Sequence, residues 1–109
     1  MPERSTEPVY EVVWPLGRRA VEPMSIAPRL PDLHGKTVAF VWDHVFRGDD
    51  MFDRFGAAAK QRHGDITLLE HHDFGNIHGT SVEEHDAVDG LAVRLRDRNV
   101  DAAVVGVGA

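Results

Sequence analysis

All six prolines of this chain fall within its first 31 residues, at Pro2, Pro8, Pro15, Pro23, Pro28 and Pro31. The 78 positions that follow contain none. Proline fixes φ and has no N–H to donate, so it breaks a helix interior and is confined to sheet edges. Residues 1–33 are therefore expected to form an extended or irregular arm. Within it, Val9-Tyr10-Glu11-Val12-Val13-Trp14 is β-prone and suits an edge strand. Trp14, Leu16, Met24, Ile26 and Leu30 make the arm apolar enough to wrap a neighbouring surface. A partly ordered tail is the plainer alternative.

Residues 34–109 read differently. Thr37-Val38-Ala39-Phe40-Val41-Trp42 is a short β-branched and aromatic run, as expected of a buried parallel strand. Residues 49–62 follow as a helix with an acidic first turn and a basic last turn, and Gly64 sits where a C-terminal glycine belongs. Its inward stripe is expected to be Met51, Phe55 and Ala58, with Phe52 and Ala59 beside them. Ile66-Thr67-Leu68-Leu69 makes a second strand. A second helix begins near Thr80, where Thr80-Ser81-Val82-Glu83 fits a capping box, and Val88, Leu91, Ala92 and Leu95 form its apolar face. Asn99 stops it, and Ala102–Val107 is a third strand.

The expected fold is thus α/β: a three-layer parallel sheet of βαβαβ order, a Rossmann-like half domain, preceded by the Pro-rich arm. Three strands and two helices leave much apolar surface bare, so a covering helix and the rest of the sheet are expected from a partner chain or from sequence beyond these residues.

Composition narrows the function. The 109 residues carry 12 Lys+Arg against 18 Asp+Glu, a net charge of −6, which disfavours a nucleic-acid partner. No apolar run approaches membrane-spanning length, and the N-terminus lacks a signal-peptide core, so a cytoplasmic protein is expected. Cysteine is absent, whereas histidine occurs 7 times. The chain itself supplies no thiol nucleophile but several groups that titrate near neutrality.

Three segments can carry chemistry. In Trp42-Asp43-His44-Val45-Phe46-Arg47-Gly48-Asp49, the residues Asp43, His44 and Arg47 would emerge at the carboxyl edge of the sheet, the favoured ligand position of open α/β folds. There Arg47 suits an anionic group and His44 a proton transfer; alternatively, Asp49 caps the helix and Arg47 pairs with a surface acid. His71-His72-Asp73-Phe74-Gly75-Asn76-Ile77-His78-Gly79, with His85 a helical turn beyond, offers imidazoles for a transition metal, although it matches no familiar zinc spacing. Hydrogen-bonded loop histidines are the alternative. In the same loop, Gly75 and Gly79 allow sharp turns that present Asn76 and His78 to a pocket. Gly106 and Gly108 form a Gly-x-Gly turn that permits close backbone approach to a substrate but lacks the dinucleotide fingerprint.

Taken in order and spacing, Val41-Trp42-Asp43-His44-Val45-Phe46-Arg47-Gly48-Asp49, Phe74-Gly75-Asn76-Ile77-His78-Gly79 and Asp101-Ala102-Ala103-Val104-Val105-Gly106-Val107-Gly108-Ala109 resemble the UGSC-type family, selenoprotein-like proteins with a Sec/Cys-Gly-Ser-Cys motif. In that family the third segment runs directly into the reactive motif. The resemblance implies a thiol- or selenol-dependent enzyme, similar to the selenoprotein component of glycine-reductase-type systems. It also implies pocket roles for Asp43, Arg47, Asn76 and His78. The absence of cysteine departs from the family pattern, and the resemblance then implies that the reactive group lies outside these 109 residues, on a separate gene product or on a cleaved or truncated continuation.

The leading expectation is a small, N-terminal-half subunit of a two-chain enzyme acting on a small molecule. A partner chain would bring the Cys-Gly-Ser-Cys motif and the rest of the sheet. His78 or His44 would move protons, and Asp43, Arg47, Asn76, Gly106 and Gly108 would hold substrate. The alternatives are a metal-dependent hydratase or hydrolase subunit using His71, His72, His78 and His85, and a non-catalytic structural subunit.

Overall fold

The computed structural model describes residues 6–18 and 20–108. Met1–Ser5, Arg19 and Ala109, the last residue of the segment 101–109 quoted above, lie outside the described residues. Three parallel strands form the sheet: β1 (Thr37–Trp42), β2 (Thr67–Leu69) and β3 (Ala102–Gly106), in the order β2-β1-β3. The expected α/β fold with a parallel sheet is therefore present. β1 is central. It pairs with β2 from Thr37↔Thr67 to Ala39↔Leu69 and with β3 from Val38↔Ala102 to Trp42↔Gly106. Its run Val38-Ala39-Phe40-Val41 is buried throughout, as a strand covered on both faces requires.

Side chains alternate across a strand, so β1 feeds two separate cores. Val38 packs with Ala59, Ile66, Leu33, Leu68, Ala102 and Val104. Ala39 and Val41 pack with Phe74, Leu69, Ile77, Leu91, Leu95 and Val100. Helix α1 (Gly48–Arg62) covers the first face. Helices α2 (Val82–Asp89) and α3 (Leu91–Asp97) serve the second, where Leu91 and Leu95 of α3 are the principal contacts.

The face that α1 buries differs from the expected stripe. Phe52 and Ala59 face the sheet as expected, joined by Gly48 and Gly56, whereas Met51 and Ala58 are exposed and Phe55 keeps only an edge-on contact with Phe40 at the margin. Close approach decides this. A Cβ on Gly56 would stand 3.2 Å from Leu68, and one on Gly48 would overlap the Trp42 indole. Two glycines form a trough that seats the helix on the sheet, and hydrophobic periodicity does not register glycine as a contact. Phe52 then stacks on Phe40 with ring centroids 4.6 Å apart.

The helix ends also need correction. Ser81, not Thr80, caps α2: its hydroxyl accepts the Glu84 N–H at 3.2 Å, while the Glu84 carboxylate accepts the Ser81 N–H at 2.6 Å. The box lies one residue later than the sequence reading placed it. Gly90 divides the single expected helix in two, and Arg94 reaches back to donate to the Ala87 carbonyl at 3.1 Å. Ala87 is the buried residue of α2, and Val88 is exposed. Gly64 does not close α1 with a left-handed turn, since only Gly35, Gly75 and Gly79 among the described glycines have positive φ. Asn99 does stop α3, at φ 52°. Its N–H donates to Arg96 and that of Val100 to Leu95, a Schellman closure sealed by Val100 in the core.

Residues 6–18 and 20–32 contain no helix or strand, and Val9–Trp14 pairs with nothing as a strand. The expected edge strand does not form. Among the described residues, no segment of the arm joins the ladders of β1 with β2 and β3. Leu33 is the first residue to pack on the core. Among the described residues no helix is long and apolar enough to cross a membrane.

Candidate functional site

The loop that leaves β1 is bound down by three hydrogen bonds from its own first residues. Asp43 is buried, the single buried charged residue among those described. Its Oδ1 accepts the Val45 N–H at 3.1 Å, and its Oδ2 accepts the Gly108 N–H at 2.9 Å. The Trp42 indole Nε1–H donates to the Val45 carbonyl at 3.0 Å. The backbone is bent to suit: His44 and Phe46 have φ of 62° and 61°, values that non-glycine residues adopt at a cost and that cluster at functional sites.

Burial would raise the Asp43 carboxyl, but the Gly108 and Val45 N–H groups and the charge at His78 outweigh it and hold it below its ordinary value. Asp43 is thus an ionised acceptor that joins the β1 loop to the segment after β3. The Asp43 N–H donates to the Gly106 carbonyl at 3.2 Å, a second tie across the same gap. Gly106 and Gly108 are both required by space. A Cβ on Gly106 would meet Phe52 at 3.1 Å, and one on Gly108 would overlap Val45 and Phe46.

The 75–79 loop lies against the other side of β1. Gly75 and Gly79 both take positive φ, which delivers the sharp turns expected of them. Ile77 donates its N–H to the Trp42 carbonyl at 3.2 Å. Asn76 donates from Nδ2 to Glu84 at 2.9 Å and accepts the His78 N–H at 2.9 Å through Oδ1. Glu84 gathers Asn76, Thr80 and Ser81. Its carboxyl is pulled down to about 2, chiefly by the Thr80 hydroxyl and the Ser81 N–H.

The sequence profile of the UGSC family matches residues 11–109. The chain belongs to the UGSC family. No curated protein and no solved structure matches it significantly.

Within this UGSC-family chain the structure groups Asp43, His44, His78, Asn76, Gly106 and Gly108 around the carboxyl ends of β1 and β3, with Trp42 beneath them. His44 and His78 are exposed. The His44 ring lies 4.8 Å from Trp42 and 5.6 Å from His71. Arg47 is solvent-exposed and donates from Nε to Asp50 at 2.8 Å, which is the surface-pair arrangement considered above. Asn76 is engaged at both ends of its amide, so it shapes the loop.

The four histidines considered as metal ligands are dispersed. His71 and His72 lie side by side with ring centroids 4.0 Å apart, His78 is exposed on the 75–79 loop, and His85 is exposed on α2. Among the described residues no three His, Cys, Asp or Glu side chains are arranged to hold a metal ion. His71 instead sits between Trp42, Phe52 and His44, with its Nδ1 sealed from solvent and unpartnered.

Sequence reasoning missed Trp42 and Glu84 as organisers. Glu84 had a signal, a capping box at Ser81-x-x-Glu84 that was placed one residue early. Trp42 had none, because its role depends on which loop carbonyl comes within reach of its indole.

Proposed function

We propose that residues 34–109 are the substrate-positioning half of a thiol- or selenol-dependent enzyme that works on a small molecule in the cytoplasm. A second chain with a Cys-Gly-Ser-Cys-type motif would supply the reactive sulfur or selenium and the remaining strands of a Rossmann-like, three-layer βαβαβ sheet. The observation that carries this reading is the Asp43–Gly108 clamp. It holds the chain after β3 rigidly beside the β1 loop, at the carboxyl edge where α/β sheets bind ligands.

The strand order supports the same placement. The chain moves from β1 to β2 on one side and returns to β3 on the other, so the order reverses between the paired strands β1 and β3, at whose carboxyl ends ligands are favoured. A reactive group carried just beyond Gly108 would face His44 and His78. His78, on the loop beside Asp43, is suited to pass a proton to or from the substrate. His44 is the second candidate for proton transfer. Arg47 would receive an anionic group by releasing Asp50, an exposed partner that costs little to leave. Gly106 and Gly108 would let substrate approach the backbone.

Coexpression with the coding sequence that follows residue 109, analysed by native mass spectrometry, tests the reading. A complex of this chain with a Cys- or Sec-Gly-Ser-Cys polypeptide is expected. Assemblies containing only copies of the 109-residue chain would overturn it.

A further inference from the structure

Two apolar surfaces among the described residues stand open to solvent, and they are complementary. The first is the arm. Val9, Tyr10, Val12, Val13, Trp14 and Leu16 are each at least 71% exposed. The second is the outer stripe of α1, where Met51, Phe55 and Ala58 recur at i, i+4 and i+7, with Met51 67% exposed. That stripe runs into an apolar groove of about 250 Å³ lined by Leu33, Phe55, Ala58, Ala59, Arg62 and His63. We infer that the arm of one copy lies along α1 of a second copy, so that two chains exchange arms in a closed dimer.

Length argues for exchange in place of folding back. From Leu33 to Trp14 is 19 residues, roughly 60 Å at the polyproline rise of about 3.1 Å per residue. Helix α1, at 15 residues, is only about 22 Å long. Pro23, Pro28 and Pro31 stiffen the near part of the arm. The molecule measures 82 Å along its longest axis against 35 and 26 Å along the others. The arm is therefore long enough to carry its apolar part well past the end of its own helix.

Charge and area agree. Glu11 is the single charge between Val9 and Leu16, while Arg54 and Arg62 flank the helix stripe, neither in an ion pair among the described residues. Tyr10 and Trp14 each bury about 150–250 Å² when covered. With the four aliphatic side chains and the helix surface beneath them, two reciprocal arms reach the roughly 1,600 Å² of a stable interface. A two-fold exchange uses the same pair of surfaces twice and leaves neither open.

The cysteine-free background permits a direct test. Separately prepared V13C and A58C chains are mixed, allowed to exchange and oxidised. The expected product is a mixed disulfide of twice the 12.1 kDa chain mass. In parallel, the wild-type chain is expected to sediment as a dimer at about 10 μM, with Trp14→Ser weakening association at least tenfold while leaving the circular dichroism spectrum unchanged. A wild-type monomer, a disulfide formed only within a V13C/A58C double variant, or no disulfide at all would each overturn the inference.

Discussion

Asp43 Oδ2 accepts the Gly108 N–H at 2.9 Å across 65 positions of sequence. The same carboxylate accepts the Val45 N–H through its other oxygen. One buried anion thus fixes both the departure of the chain from the central strand and its course after the neighbouring strand. Backbone N–H groups at Gly108 and Val45, with the charge at His78 beside them, stabilise the carboxylate against the opposing effect of burial.

Replacing Asp43 with Ala removes that acceptor from both amides. Hydrogen exchange at Gly108 and Val45 is expected to accelerate by roughly fivefold or more, as loss of a hydrogen bond of ordinary net strength implies. Amides in the middle of β1 should change far less. Unaltered protection at Gly108 would show that the clamp does not hold the segment after β3.

Acid should loosen the α2 end of the molecule. The Glu84 carboxyl is pulled down to about 2 by the Thr80 hydroxyl and the Ser81 N–H, against the opposing effect of burial. A carboxyl lowered in the folded state contributes stability that is complete above its unfolded value, about 4.3, and fades as pH falls toward 2. Asp43 is also lowered and adds in the same direction. Urea melts between pH 5 and pH 2 should show this loss, and Glu84→Gln should flatten it. Equal slopes for both proteins would refute the assignment to Glu84.

Loss of the cap itself is a separate matter. Ser81→Ala leaves the Glu84 N–H without its acceptor and should cost about 1 kcal/mol. For a folded unit of this size that is a fall of about 4–8 °C in Tm. Thr80→Ser, which keeps the hydroxyl that donates to Glu84, leaves the Ser81–Glu84 box in place and should cost less. A reversed order would show that Ser81 does not cap α2.

Most of the strands and the positions of the helices were legible because they follow from chain-local physics. Thr37–Trp42 is β-branched and apolar, and the proline-free stretch after it permits regular structure. The helix faces were not legible in the same way. Periodicity assigns Phe55 and Met51 inward on size, yet Gly48 and Gly56 decide the matter by letting α1 approach Trp42 and Leu68. The loop residues Asp43, Asn76 and His78 were legible as polar groups at a sheet edge. Their partners were not, because Gly108 and Glu84 reach them only through tertiary folding.

The glycine trough yields an ordering of two similar substitutions. Ala ordinarily stabilises a helix interior by about 1 kcal/mol relative to Gly. At Gly56 the new methyl would meet Leu68 Cδ1 at 3.2 Å, the mobile end of a side chain, so Gly56→Ala should leave stability within about 1 kcal/mol of wild type. At Gly48 it would overlap the Trp42 ring, which is fixed by its bond to Val45. Gly48→Ala should therefore destabilise by about 1–3 kcal/mol, the usual range for overpacking. Equilibrium denaturation of both variants, with Trp fluorescence as the probe, would reveal a reversed order.

His71 provides a pH response of its own near neutrality. Burial lowers its pKa first, and the neighbouring His72 and His44 lower it further, outweighing Glu70 and Asp49, which pull the other way. The ring is held against Trp42 and Phe52, with Nδ1 sealed and unpartnered, so protonation there would leave a buried N–H without an acceptor. In the unfolded chain His71 takes up a proton near its ordinary value of about 6.5, and in the folded chain only at lower pH. Between those two values the unfolded state binds more protons, so stability falls as pH drops and is unaffected by this group above about pH 7.5. His71→Gln should reduce the loss measured by urea melts from pH 7.5 to pH 5, and the His71 ring resonances should titrate below those of a reference histidine peptide. A ring that titrates above the peptide, or a His71→Gln protein with an undiminished slope, would show that the pocket stabilises the imidazolium instead.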